Sequence, residues 1–189
     1  MTNPLQHDHY LIRRKVLKIL GASFHIYAGD QLIGFCAQKA FKLKEDIRIF
    51  TDESKTQTLL EIKARQIVDF SAAYDVVDPT EGVKVGAARR QGMRSMLRDS
   101  WELLDEADKP AAVIQEDSQG KALLRRFLSN LIPQGFHVSA GGKNVAALRQ
   151  HFNPFVYRLE VAIDKDCPID RRLVLAGAAL IAAIEGRQR

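Results

Sequence analysis

The chain has 189 residues, 46% of them hydrophobic and 27% charged, a balance that suits one globular domain with a substantial core and excludes a disordered class. Its net charge of +5 favours anionic partners, phospholipid headgroups or nucleic acid, if the charge is clustered. The densest basic groups are Arg13-Arg14-Lys15, Arg89-Arg90, Arg125-Arg126 and Arg171-Arg172, none long enough for a basic tail, and Cys36 and Cys167 lack the spacing of a disulfide framework or zinc site.

Residues 1–9 carry no apolar stretch of signal-peptide type and read as a flexible arm, so a cytoplasmic location is the expectation. The His7-Asp8-His9 cluster falls on that arm and reads as a surface feature rather than a metal site. From residue 10 to the end, a single domain is expected.

From Tyr10 to Asp105, runs rich in Val, Ile, Phe and Tyr alternate with Gly/Asp/Pro clusters, the pattern of antiparallel strands joined by hairpins. Strands are expected over Tyr10–Leu20, Ser23–Tyr27, Leu32–Lys42 and Ile47–Phe50. Gly29-Asp30 and Thr51 to Ser54 supply turns between them. Leu59–Arg65 alternates clearly, with Leu60, Ile62 and Ala64 on one face and Glu61, Lys63 and Arg65 on the other. Phe70–Val77, Val83–Ala88, Met93–Leu97 and Trp101–Leu104 continue the meander, with Pro79 and Gly82 in the turn between the first two.

Beyond Asp105 the period changes. Leu123, Leu124, Phe127, Leu128 and Leu131 recur at helical spacing, so Ser118–Leu131 reads as an amphipathic helix that ends near Pro133 and Gly135. Strands resume at Phe136–Ala140 and Phe155–Ile163, with a turn at Gly141 to Asn144.

The last element begins after Asp170, a suitable N-cap. Leu173 to Ile184 is apolar on every side and must be enclosed by protein or lipid. Its 12 residues fall short of the roughly 20 a bilayer span needs, so burial within a β framework is expected. Ala176, Gly177, Ala178, Ala179, Ala182 and Ala183 keep it slim enough to thread a narrow barrel.

Leu59-Leu60-Glu61-Ile62-Lys63, Tyr74-Asp75-Val76-Val77-Asp78, Val85-Gly86-Ala87-Ala88-Arg89-Arg90, Ser95 and Asp99-Ser100-Trp101-Glu102-Leu103 occur in that order, ahead of Asp164-Lys165-Asp166, a basic pair and an apolar helix containing Gly177. The series resembles the phospholipid scramblase and LURP-one-related families, which share the tubby C-terminal fold. The resemblance covers about Tyr10 to Gly186. It implies a mostly β domain: a closed antiparallel barrel of about twelve strands around a central hydrophobic C-terminal helix. Scramblases also have an acidic calcium-binding loop, a Pro-rich N-terminal region and palmitoylated cysteines. Here only Asp164, Asp166 and Asp170 stand near that loop, weak metal candidates beside the roughly six to eight oxygen ligands calcium takes.

No Gly-x-Ser-x-Gly elbow occurs, and the Gly-rich turns do not lead into helices as a phosphate-cradling loop would. Neither a catalytic residue nor a cofactor is expected. The basic outer face remains: Lys63, Arg65, Lys84 and Arg90 are the candidate residues for cradling a phospholipid headgroup, as the resemblance to tubby-like domains implies, because Arg and Lys offer phosphate fixed charge and several donors. The expected function is a non-enzymatic binding or scaffold domain docking on anionic phospholipid, peripheral to a membrane. The alternatives are a phospholipid scramblase whose C-terminal helix inserts into the membrane, and a nucleic-acid-binding protein.

Overall fold

The computed structural model describes residues 4–15, 23–37, 46–65, 73–91, 100–117, 133–151, 153 and 155–185. Twelve antiparallel strands follow one another: β1 (His9–Lys15), β2 (Ser23–Ala28), β3 (Gln31–Ala37), β4 (Asp46–Phe50), β5 (Thr58–Ala64), β6 (Ala73–Asp78), β7 (Val83–Arg90), β8 (Ser100–Leu104), β9 (Pro110–Glu116), β10 (Gly135–Ala140), β11 (Lys143–His151) and β12 (Val156–Ile163). Each pairs with its sequence neighbour, and β1 pairs with β12, from His9 opposite Ala162 to Lys15 opposite Val156, so the sheet closes into a barrel. Closure pairs every strand of the described residues on both sides, which removes the open edges of a long meander.

Alternation sends one set of side chains inward. Ile12, Phe24, Ile26, Ile49, Leu60, Ile62, Val76, Ile114, Val138 and Leu159 are fully buried, and the residues between them on each strand face out. Tight turns join the strands where glycine allows the backbone to reverse. Gly141 (φ +56°) and Gly142 (φ +78°) both hold the left-handed conformation of a two-residue hairpin turn whose twist matches the strands it joins.

Helix α1 (Arg171–Glu185) fills the barrel. Asp170 starts it: its carboxylate accepts from the Arg172 N–H at 2.8 Å, and its carbonyl accepts from the Leu173 and Val174 N–H groups at 3.0 and 3.3 Å. From Leu173 to Ala183 the helix is buried on all sides, the enclosure its uniformly apolar sequence demanded. A Cβ on Gly177 would lie 2.6 Å from Ile114 Cδ1 and 3.5 Å from Leu103 Cδ2, so this glycine lets helix and wall approach closely. Among the described residues no helix is long and apolar enough to cross a membrane.

Two strands escape a reading of the sequence. β9 opens on Pro110 and turns Ala112, Ile114 and Glu116 inward, and β11 begins at Lys143, inside the residues read as a turn, and runs on through Arg149-Gln150-His151. Neither shows the apolar alternation that reveals β5. The expected strand at Met93–Leu97 and helix at Ser118–Leu131 lie outside the described residues. Ahead of β1, Leu5 is fully buried, its carbonyl accepts from the Tyr10 hydroxyl at 2.6 Å, and Asp8 binds Arg171.

Candidate functional site

The helix runs buried through the barrel from Leu173 to Ala183, and among the described residues the charged side chains gather on the wall and at the helix mouth. At the mouth, Arg172 is ringed by carboxylates. Its Nη1 donates to Asp78 Oδ2 at 2.8 Å and to Glu81 Oε2 at 2.6 Å, and its Nη2 to Asp170 Oδ2 at 2.7 Å. Burial raises the Asp78 carboxyl, but hydrogen bonds from Thr80, Arg172 and the Glu81 N–H outweigh it and leave the group below its ordinary value. Beside it, Arg171 donates to Asp8 Oδ1 at 2.7 and 2.9 Å and to the Lys165 carbonyl at 3.1 Å. The two arginines thus fasten the helix to β6, to the β6–β7 turn and to the segment preceding β1.

Of the three aspartates read as weak metal candidates, Asp170 is committed to this clamp. The Asp164 carbonyl accepts from the Cys167 N–H, its own N–H donates to Val145, and among the described residues no three acidic, His or Cys side chains converge as a metal would require.

On the outer wall, Arg65 and Lys84 come together on two shared carboxylates. Arg65 donates to Asp75 at 2.5 Å and also reaches Asp108, while Lys84 lies 2.8 Å from Asp108 and 3.5 Å from Asp75. The hydrogen bonds from Arg65 hold Asp75 below the ordinary carboxylate value, and those from Lys84 and Arg65 do the same for Asp108. Lys63 pairs with Glu61 at 2.5 Å. Arg48 with Asp46 and Arg89 with Glu102 extend the series, so from β4 to β8 charges of both signs interleave. Arg90 stands apart from this group. It is paired in register with the buried Trp101, and its guanidinium lies 6.0 Å from the indole centre.

The sequence gives no hint of a second basic row across the seam that closes the barrel. His25 on β2, Arg13 on β1, Arg158 on β12 and His151 on β11 lie directly opposite one another in register. His25 and His151 hold Glu53 and Glu160 at 2.7 and 2.8 Å. Arg13 rests over the Tyr27 ring at 5.5 Å. The row exists only because β1 meets β12, residues far apart in the chain, and no pattern within either strand announces their register.

The sequence model of the LURP-one-related family matches residues 32–182. Neither a curated protein nor a solved structure matches the chain. A match over most of the length, on a closed twelve-stranded barrel threaded by its last helix, makes this chain a member of the LURP-one-related family.

Proposed function

We propose that the chain is a non-enzymatic binding or scaffold domain that docks peripherally on anionic phospholipid headgroups at the cytoplasmic side. The observation that carries this reading is the contrast between a barrel occupied by the apolar helix α1 and an ionic outer wall. With α1 occupying the barrel axis, recognition falls to the outer surface, and the chain's net charge of +5 draws that surface toward anions.

The candidate cations Lys63, Arg65 and Lys84 lie within one continuous stretch of wall, β5 to β7. A headgroup phosphate would dock there by exchange, displacing Asp75 and Asp108 as the acceptors. A scramblase with an inserting helix would have to break the Arg172 and Arg171 clamps and expose 15 residues, fewer than a bilayer span requires.

The test is sedimentation with phosphatidylcholine vesicles, with and without phosphatidylinositol bisphosphate, at rising salt. Binding is expected only to the anionic vesicles and should weaken as the screening length drops below about 10 Å near 0.1 M salt. Charge reversal at Lys63, Arg65, Lys84 and Arg90 should reduce it. Binding that is absent, or indifferent to salt, overturns the reading, as does tighter, salt-sensitive binding to duplex DNA in a gel shift.

A further inference from the structure

Arg13 and Arg158 face each other across the β1–β12 ladder. Like charges directly opposite on neighbouring strands repel, and such a pair destabilises a sheet. Elsewhere the wall avoids this: Arg48, Lys63, Arg65, Lys84 and Arg89 each have a carboxylate within ion-pair distance. Among the described residues, neither Arg13 nor Arg158 has one, and the carboxylates that share their grooves, Glu53 and Glu160, are taken by His25 and His151. Arg158 Nε is moreover buried with no hydrogen-bond partner, a donor left unmatched at some cost. Two grooves flank the pair. One of about 350 Å³ is lined by Arg13, Ser23, His25, Tyr27 and the His25-bound Glu53, and one of about 460 Å³ by His9, His151, Arg158 and the His151-bound Glu160. Tyr27 holds the Arg13 guanidinium from its π face, which leaves its N–H edge for a ligand and reduces the ordering that binding would require.

We infer that the β1–β12 seam is an oxyanion site in which Arg13 and Arg158 jointly grip one phosphate monoester of a membrane phospholipid headgroup. A phosphate supplies what the seam lacks: a dianion that turns the repulsion of two guanidiniums into shared attraction and accepts from both forks. The membrane source is favoured by Phe155. It precedes β12 by one residue and is 66% exposed, an aromatic ring placed to enter the interfacial layer while Arg158 on the same strand and Arg13 opposite it on β1 reach headgroups. This assignment rests on the docking function proposed above and locates it on a different part of the wall from Lys63, Arg65 and Lys84.

The experiment measures binding of the full chain to two probes, soluble inositol trisphosphate by calorimetry and phosphatidylinositol bisphosphate vesicles by sedimentation, for the wild type, Arg13→Gln, Arg158→Gln and Phe155→Ala. Each arginine variant should lose about tenfold in affinity for both probes, and Phe155→Ala should lose vesicle affinity alone. Thermal unfolding separates ligand loss from damage, because removing one of two opposed like charges should leave the melting temperature unchanged or raise it. Arginine variants that melt as the wild type and bind both probes unchanged overturn the seam site, while vesicle binding by the wild type keeps the docking function standing. Binding of inositol trisphosphate through the arginines with no binding to vesicles overturns the membrane source and the docking function together. A wild type that binds neither probe overturns everything proposed for the seam.

Discussion

Arg172 donates to Asp78 across 94 positions of sequence, at 2.8 Å, joining the first turn of the central helix to the end of β6. The Asp78 side chain is 1% exposed and the Arg172 side chain 11%. Removing Asp78 leaves Arg172 with Glu81 and Asp170 but takes away its most deeply buried acceptor, and a hydrogen bond to a charged group is worth about 1.5–3 kcal/mol. Asp78 also accepts from the Thr80 and Glu81 N–H groups, so its loss loosens the turn as well as the helix. Asp78→Ala should therefore destabilise the chain by about 3 kcal/mol, read as a lower urea midpoint at unchanged slope. Asp78→Asn, which keeps a hydrogen-bonding side chain, should cost less.

The same aspartate gives the fold a particular response to acid. Its folded value lies below the ordinary 3.8, so the folded state binds its proton less readily than the unfolded chain does. That stabilisation is complete above the ordinary value and fades as pH falls through 3.8 toward the lower folded value. In Asp78→Asn this contribution is absent at every pH. Urea midpoints taken down a pH series should fall more for the wild type than for the variant once pH drops below 3.8; parallel curves would show that Asp78 does not carry the effect.

Two glycines touch the helix–wall contact, and they should respond differently to alanine. At Gly86, which has φ +154°, a Cβ would lie 2.3 Å from the Leu104 carbonyl oxygen and 3.0 Å from Leu173 Cδ2. A strand carbonyl cannot retreat, so Gly86→Ala should cost about 3 kcal/mol or more. At Gly177 the obstacle is Ile114 Cδ1, the far end of a side chain, and the gain of about 1 kcal/mol in helix propensity offsets part of the crowding. Gly177→Ala should thus be the milder change. Adding Ile114→Val, which removes the offending methyl, should make the pair non-additive by about 1 kcal/mol in the stabilising direction.

The sequence made legible what depends on local pattern. The apolar run from Leu173 to Ile184 demanded enclosure, and the alternation of Leu60, Glu61, Ile62 and Lys63 marked a wall strand. β9 and β11 escaped because their inward positions include Ala112, Ala146, Glu116 and Gln150, residues whose burial is decided by the closed barrel around them. The candidate site was legible only in composition. The positions of Lys63 and Arg65 on one face follow from strand period, but their pairing with Glu61, Asp75 and Asp108 depends on which strands and turns lie alongside. The opposition of Arg13 and Arg158 depends on register across the closing seam.

Asp108 offers a way to strengthen docking at β5 to β7. It is the shared acceptor of Arg65 and Lys84, and it holds a left-handed backbone with φ +62°, a conformation asparagine adopts readily. Asp108→Asn should keep the turn while removing the negative charge that competes with a headgroup phosphate. Sedimentation with phosphatidylinositol bisphosphate vesicles should show affinity rising at least about threefold, with the melting temperature little changed, since exposed ion pairs contribute little. A fall in affinity would mean that Asp108 organises the cations rather than competing for them.

Cys36 reports on whether the helix ever leaves the barrel. It is fully buried in the wall, in register between the inward-facing Phe24 and Ile49, and belongs to the same apolar cluster as α1. Burial pushes its thiol well above the ordinary value, so it is both inaccessible and protonated, whereas Cys167 is partly exposed. In the native protein a thiol reagent should modify Cys167 promptly and Cys36 only after denaturation. Withdrawal of α1 into a bilayer would open the interior and expose Cys36, so labelling in the presence of anionic vesicles decides between docking and insertion. Continued protection of Cys36 on vesicles is the expected result, because the Arg172 and Arg171 clamps hold the helix in place; rapid modification of both thiols there would favour the inserting scramblase.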